Sequence, residues 1–262
     1  MPKPTPTRIT PDAAFRAENG CESASSPARE ISTEADQNLL LAQLPATELA
    51  AFVEQADKIT CSLREVLFEN GDVSTAVYFP VTAMISLVTE LSGGTSIEAM
   101  TVGFEGVAGL ELFHGVMTAH TKGVCQIAGE LYRLPASNFL ALVESSTALD
   151  HTLHRYSQFT QDAIAQSSAC NSIHLLEQRC ARWLLLTSDA VRNEQFSLTQ
   201  EFLAQMLAVR RSGVTMAIGR LVRQKLICTR YGTITIIDRE GLKKISCECY
   251  EVVRARQRDF LN

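Results

Sequence analysis

Long apolar runs are missing from this sequence. No stretch comes near the ~18 consecutive apolar residues that a membrane-spanning helix needs. The opening MPKPTPTRITPDAAFR also lacks the apolar core of a secretory signal, so the chain is read as cytoplasmic, without a membrane partner. Clustered cysteine motifs are equally scarce. The eight cysteines, Cys21, Cys61, Cys125, Cys170, Cys180, Cys228, Cys247 and Cys249, include no C-x-x-C pair. A chain of 262 residues buries a core without covalent staples, and these residues are read as small buried hydrophobes. Cys247 and Cys249 are two apart, a spacing that sends side chains to different faces of a helix, so no shared metal is expected. Catalytic signatures are absent as well. The patterns G-x-x-x-x-G-K-[ST], H-E-x-x-H and G-x-S-x-G do not occur. His151 and His154 have helical spacing but no evident third ligand, and are read as an exposed face. The expectation is a chain that is not an enzyme and holds no metal or cofactor.

One absence is local. Between Phe202 and Ile237 there is no acidic residue, against six basic ones: Arg210, Arg211, Arg220, Arg223, Lys225 and Arg230. The chain as a whole has a formal net charge of −5, which leaves 18 basic against 29 acidic residues, a net of −11, elsewhere. One basic block on an acidic body is the footprint of a local polyanion site. A solvated basic face is the plainer alternative.

Residues 1–33 are rich in Pro, Thr, Ser, Ala and Glu and are read as a disordered extension. From Thr33 to Ala56 the pattern reads as helix, with Leu40, Leu44, Leu49, Phe52 and Val53 approximating one face, broken at Pro45. The period then changes. CSLREVLF (61–68), VYFPV (77–81), MISLVTEL (84–91), SIEAMTV (96–102) and TKGVCQIAGELYRLP (121–135) are short β-type runs. Asn70-Gly71-Asp72 and Ser92-Gly93-Gly94 punctuate them, and the spacing suggests a small barrel or sandwich over 34–147. SNFLALVESS reads as helix, and a long helical stretch follows over 148–171. Leu149, Leu153, Tyr156, Ala163 and Cys170 form its seam, with Thr160 and Ser167 at seam positions. That seam suits either a second copy of the chain or the chain's own β-domain. A new helix near Ser172 carries Leu175, Leu176, Cys180, Trp183 and Leu184 on one face.

In LTQEFLAQMLAVRRSGVTMAIGRL, Thr199 is a plausible helix cap and Glu201 suits the first turn. This helix is expected to end near Ala208, with Val209 burying the turn. A second helix turns Val214, Ala217, Ile218 and Leu221 inward. Its outer face carries Arg210, Arg211, Ser212, Thr215, Met216 and Arg220. LICTRYGTITIID then reads as a hairpin around Tyr231-Gly232, with Arg230 at its tip. Two short helices on a tight turn, followed by a β-wing, read as a winged helix-turn-helix over 172–246, with a helical tail over 247–262. Arginine pairs with guanine edges, and Thr199, Gln200, Ser212 and Gly213 offer phosphate contacts.

These residues carry a resemblance. LTQEFLAQMLAVRRSGVTMAIGRLVRQKLI with GTITIIDREGLKKISCECY resembles the C-terminal domain of Crp/Fnr-type bacterial transcription regulators. LREVLFENGDVSTAVYFPVTAMISLV and TVGFEGVAGLELF resemble that family's β-roll. The resemblance implies an α+β chain: a cyclic-nucleotide-binding-like β-roll, a long central dimerisation helix and a winged helix-turn-helix. It also implies a homodimer on a palindromic double-stranded DNA site, with RNA polymerase as a further partner. Gly109, Glu111 and Lys122 are the candidate effector residues.

The departures from the family shape the expectations. Members that respond to cyclic AMP have a Gly-Glu and a later arginine; here Gly109 is followed by Leu110, and no arginine lies between Gly109 and Ala128. Cyclic AMP is therefore not expected. Cys21 stands alone near the N-terminus, so no iron–sulfur cluster is expected. The turn position that the family usually gives to glycine is Ala208, which costs about 1 kcal/mol if φ is positive. The other reading is a ligand-binding module whose basic helical domain contacts protein or RNA.

Overall fold

The computed structural model describes residues 34–92 and 96–261. The 1–33 extension, Cys21 and Gly93-Gly94 lie outside the described residues. Where one helix was expected ahead of Pro45, the chain forms two 3-10 turns, Glu34–Gln37 and Leu41–Gln43, and only then α1, Ala46–Gln55. Asn38 is the reason. Its buried side chain accepts from the amides of Leu40 and Leu41 at 3.1 and 3.2 Å, and donates to the carbonyls of Pro80 and Gly106, both at 2.9 Å. Local bonds of this kind compete with an α-helix and end it.

Seven strands follow: β1 Asp57–Cys61, β2 Val66–Phe68, β3 Ala76–Pro80, β4 Met84–Glu90, β5 Ser96–Val102, β6 Lys122–Ile127 and β7 Gly129–Pro135. The run 61–68 is two strands rather than one, split where Arg64 adopts φ 69° and the Glu65 carboxylate accepts from the Ser62 amide. All pairings are antiparallel, in a three-stranded sheet β1-β7-β3 and a four-stranded sheet β2-β6-β4-β5. Side-chain alternation explains how β3 is buried along its length. Ala76 and Tyr78 join the core with Ile85, Val102 and Leu131, while Val77 and Phe79 pack with Phe52, Leu134 and Phe139 under the helices.

Two helices lead away from the roll: α2, Ala136–Ser145, and α3, Thr147–Ile173. Ser146 separates them, its hydroxyl accepting from the Leu149 amide at 2.9 Å. The expected seam of α3 is buried within the chain: Leu149, Leu153, Tyr156, Ala163 and Cys170 are all buried. Its first part packs against the β-roll core. The final helix, α8, Cys249–Leu261, packs along α3, where Phe260 stacks on Phe159 at 5.7 Å and meets Tyr156 at 5.4 Å.

Then α3 breaks at His174-Leu175, and α4 runs Leu176–Val191. Leu175 does not share the buried face of Cys180, Trp183 and Leu184; it flanks α4 and is 73% exposed. β8 Gln195–Ser197, α5 Gln200–Met206, α6 Arg211–Arg223, β9 Ile227–Arg230, β10 Thr233–Ile236 and α7 Arg239–Ile245 complete the chain before α8. The three strands form a sheet β8-β10-β9. Tyr231 (φ 47°) and Gly232 (φ 77°) make the two-residue hairpin turn, both in the left-handed conformation that matches strand twist.

This helical domain is docked on the β-roll. Register slips between Leu87, opposite Met100, and Val88, opposite Glu98, so Ala99 is the extra residue of a bulge. Cross-strand partners share a face, so the bulge puts Glu98 beside Val88. Val88 joins the core of Leu203, Met206 and Leu207, and Glu98 accepts from Trp183 Nε1 at 2.8 Å and Ser86 Oγ at 2.7 Å.

Two predictions follow from this packing. Ala208 does lie at φ 51° in the turn between α5 and α6 and is exposed. Ala208→Gly removes the left-handed penalty of a Cβ, partly offset by the added freedom of the unfolded chain. The variant should gain up to about 1 kcal/mol in denaturant unfolding; equal or lower stability would show an unstrained turn. Burial pushes the Glu98 carboxyl above its ordinary value of 4.5, against the hydrogen bonds from Ser86 and Trp183 and the charge of Arg182. A raised carboxyl favours folding fully below 4.5 and loses that contribution as pH rises through the raised value. Glu98→Gln keeps an acceptor for Trp183 and cannot ionise. Its stability relative to the unsubstituted chain should therefore rise as pH increases above 4.5; a constant difference in paired unfolding curves would contradict the assignment.

Candidate nucleic-acid interface

The helix pair forms as its pattern demands. Thr199 caps α5, its hydroxyl accepting from the Phe202 amide at 3.2 Å. Along α6, Val214, Ala217, Ile218 and Leu221 are buried against α4 and α5. A helix that buries those positions turns Arg211, Ser212, Thr215 and Met216 to the opposite side, and all four are exposed, Met216 by 62%. Met216 thus offers apolar surface on the same face as the arginine and the two hydroxyls.

The remaining sequence candidates divide. Arg210 is exposed at the N-terminal flank of α6, and Gln200 accepts from the Thr215 hydroxyl at 2.7 Å, joining the starts of the two helices. Arg211 is exposed and only loosely paired, its Nε 3.6 Å from Glu201. Arg220 is held differently, with Nη1 3.1 Å from the Glu177 carboxylate of α4. Gly213 faces the protein more than expected: a Cβ there would come within 3.0 Å of Leu176. Its bare backbone serves helix packing as well as any approach by a phosphate.

Arg230 stands at the wing tip, its guanidinium carbon 5.5 Å from the Tyr231 ring centroid. Tyr231 is 94% exposed. The sequence pattern marks Tyr231 only as a turn residue, although a bulky aromatic at a left-handed position beside an arginine is itself a signal. Arg64 was also missed. It reaches from the β1–β2 turn to donate to Thr199 Oγ1 at 3.3 Å, so one atom caps α5 and contacts the β-roll. Nothing local in its sequence marks that contact, which spans 135 residues.

The effector candidates are only partly brought together. Gly109 takes φ 94° in the turn before a 3-10 segment, and a Cβ there would meet the Ala76 carbonyl at 3.0 Å. Glu111 accepts from Ser74 Oγ at 2.6 Å and lines a cleft with Leu67, Phe68, Asp72 and Tyr78. Lys122 is elsewhere, paired with Glu69 at 3.0 Å and Glu90 at 3.6 Å. The side chains that line the cleft include two carboxylates and no cation, so a phosphate there would meet repulsion.

The separation expected of Cys247 and Cys249 is overturned. Cys247 precedes α8 and Cys249 opens it, so helical spacing does not govern the pair. Their thiols converge with Cys170 and His174.

Residues 178–245 match the model of the Crp-like helix-turn-helix domain. A sequence comparison with curated proteins finds no match. Solved structures share the fold at low identity. FixK2 from Bradyrhizobium japonicum is 15% identical, with 73% of this chain and 98% of that one covered and a TM-score of 0.63. A CRP-family transcriptional regulator from Thermus thermophilus is 19% identical, with 72% and 96% covered and a TM-score of 0.60. The c-di-GMP responsive global regulator CLP from Xanthomonas campestris is 15% identical, with 73% and 99% covered and a TM-score of 0.59. The chain thus joins a Crp-like helix-turn-helix domain to a β-roll and long helix in the fold of the Crp/Fnr regulators.

Proposed function

We propose that this chain is a sequence-specific, DNA-binding transcription regulator that acts as a homodimer in the cytoplasm. One observation carries the reading: α6 buries four apolar side chains and leaves Arg211, Ser212, Thr215 and Met216 exposed together on a segment with no acidic residue. A helix so divided fits the major groove, with its N-terminal residues toward base edges. Arg211 reads guanine O6 and N7, and Met216 touches a thymine methyl. Arg210, Ser212 and the α5 terminus at Thr199 and Gln200 take phosphates, and Arg230 with the wing takes the flanking backbone. Arg220, tied to Glu177, contributes charge at the edge of the interface.

Two copies on a palindromic duplex place their α6 helices in successive major grooves. The strip of α3 left for a second copy runs through Gln158, Gln161, Ala165, Ser168 and Ser172 at alternating steps of three and four, and the exposed Ile164 and Ile173 add apolar surface beside it. An effector, where one acts, enters by the cleft that Glu111 lines and shifts the dimer by binding one arrangement more tightly. The two carboxylates there argue against cyclic AMP. RNA polymerase is the further partner of such a regulator.

Genomic-pool binding followed by substitution tests the reading. Arg211→Ala should cost about 1–3 kcal/mol and relax specificity at one base pair. Equal loss on every sequence would reduce Arg211 to a phosphate clamp. Arg230→Ala should weaken binding uniformly and lower the slope of log affinity against log salt by about one; an unchanged slope would remove the wing from the interface. Binding to RNA in preference to duplex DNA would replace the proposal.

A further inference from the structure

Four side chains from distant parts of the sequence meet where α3 gives way to α4. Cys170 lies in the last turn of α3, His174 is the residue at the break, and Cys247 and Cys249 flank the start of α8. Their ligand atoms all lie within 4.8 Å of one another. Cys170 Sγ is 3.5 Å from Cys247 Sγ, and Cys249 Sγ is 3.6 Å from His174 Nδ1. We propose that Cys170, His174, Cys247 and Cys249 form a tetrahedral site for a zinc-class divalent metal ion that clamps the end of α3 to the start of α8.

Geometry and chemistry agree on the class of ion. Bonds of about 2.3 Å to sulfur and about 2.0–2.1 Å to nitrogen give tetrahedral edges of roughly 3.8 Å between sulfurs and roughly 3.5 Å between sulfur and nitrogen. The two distances above have that scale. Three thiolates and one imidazole are a ligand set of structural zinc sites, and soft sulfur disfavours calcium and magnesium. The thiols are secluded, with Cys170 and Cys249 fully buried and Cys247 nearly so.

The surroundings support these four as ligands. Glu248, between the two cysteines, lies 3.1 Å from His174 Nε2. A proton held on Nε2 by that carboxylate leaves Nδ1 as a lone pair facing the thiols, the arrangement by which carboxylates orient metal-bound histidines. Gln166 Nε2 donates to Cys249 Sγ at 2.9 Å. Three thiolates around a divalent ion leave one net negative charge, and the buried Arg182 and Arg179 both act electrostatically on Cys170. A direct Cys170–Cys247 disulfide would need sulfurs about 2.05 Å apart and gives no role to His174 or Cys249.

The site holds the hinge between the long helix and the winged domain. From beside it, Asn171 Oδ1 accepts from Arg179 Nε at 3.1 Å, and Arg179 Nη2 donates to the Leu207 carbonyl at 2.7 Å. Leu207 ends α5, one residue before the left-handed turn at Ala208. An ion at the hinge therefore sets the placement of the helix pair on α3. This consequence rests on the DNA-binding reading; the metal site itself does not.

The test is Co(II) titration of the reduced, metal-free full chain. One equivalent should give sulfur-to-cobalt charge-transfer bands in the near ultraviolet and the intense visible bands of tetrahedral cobalt, both erased by Zn(II). Glu248→Gln keeps every ligand and should weaken cobalt affinity about 10–100-fold. Cys249→Ser should diminish the charge-transfer intensity. Weak octahedral cobalt bands without charge transfer in the unsubstituted chain would overturn the site. So would affinity unaltered by Cys170→Ser, or a Cys170–Cys247 disulfide whose reduction restores no cobalt uptake. DNA affinity with and without Zn(II) on the same sample is read separately. Equal affinities overturn the hinge coupling, whereas no DNA binding in either state defeats the functional reading and leaves the cobalt result standing.

Discussion

The apolar face of α3 is the constraint from which the architecture follows. Leu149, Leu153, Tyr156, Phe159 and Ala163 lie on one helix that extends past the β-roll, and no single partner covers them all. Fully burying a leucine or phenylalanine side chain is worth about 1.5–3 kcal/mol, so the stripe recruits whatever apolar surface the chain supplies. Elements α2 and β5 pack against it on one side, and α8, through Val253 and Phe260, packs along it on another. The return of α8 makes Val253 and Phe260 part of the same core as the β-roll and α3.

The same constraint separates what the sequence made legible from what it hid. The helix pair was readable because its pattern is local: Val214, Ala217, Ile218 and Leu221 repeat at helical spacing and each is buried. Cap and turn chemistry at Thr199 and Tyr231-Gly232 is likewise written within a few residues. The seam of α3 was visible, but its partner was not, since an apolar stripe is equally content against a second copy, a sheet or a returning helix. Asn38 could not be recognised as a helix breaker, because two of its four bonds go to Pro80 and Gly106. The thiol cluster was hidden for a stronger reason. Its members lie up to 79 positions apart; Cys170 and His174 are four apart, and the spacing of Cys247 and Cys249 misleads because α8 begins only at Cys249.

Docking of the helix pair on the β-roll joins the two halves by unlike interactions. Val88 against Leu203 and Met206 is apolar and non-directional, while the Trp183–Glu98 and Arg64–Thr199 bonds fix orientation. The Glu98 bond is the costlier to disturb, because its carboxyl is buried and would be left short of partners. Arg64 and Thr199 sit at the solvent edge, where water replaces a lost hydrogen bond at little cost. A shift of the winged domain would therefore begin at its outer edge, with the Trp183 side acting as the pivot.

Electrostatics then bears on how α6 can meet a polyanion while the rest of the chain is strongly acidic. In the isolated chain two of its arginines already face carboxylates, Arg211 toward Glu201 and Arg220 toward Glu177. The exposed Arg211–Glu201 pair is worth about 0–1 kcal/mol, so exchanging that carboxylate for a phosphate or a guanine edge would sacrifice little. The two pairs differ in how firmly they hold. At 3.6 Å with both partners mostly in water, Arg211 is free to leave; Arg220 is 3.1 Å from a largely buried Glu177 that also accepts from Gln224. Removing Arg220 from that contact would strand a partly buried carboxylate, whereas releasing Arg211 returns Glu201 to solvent. The N-terminal end of α6 thus carries the arginine that is freer to leave its carboxylate, and the C-terminal end the one that is held.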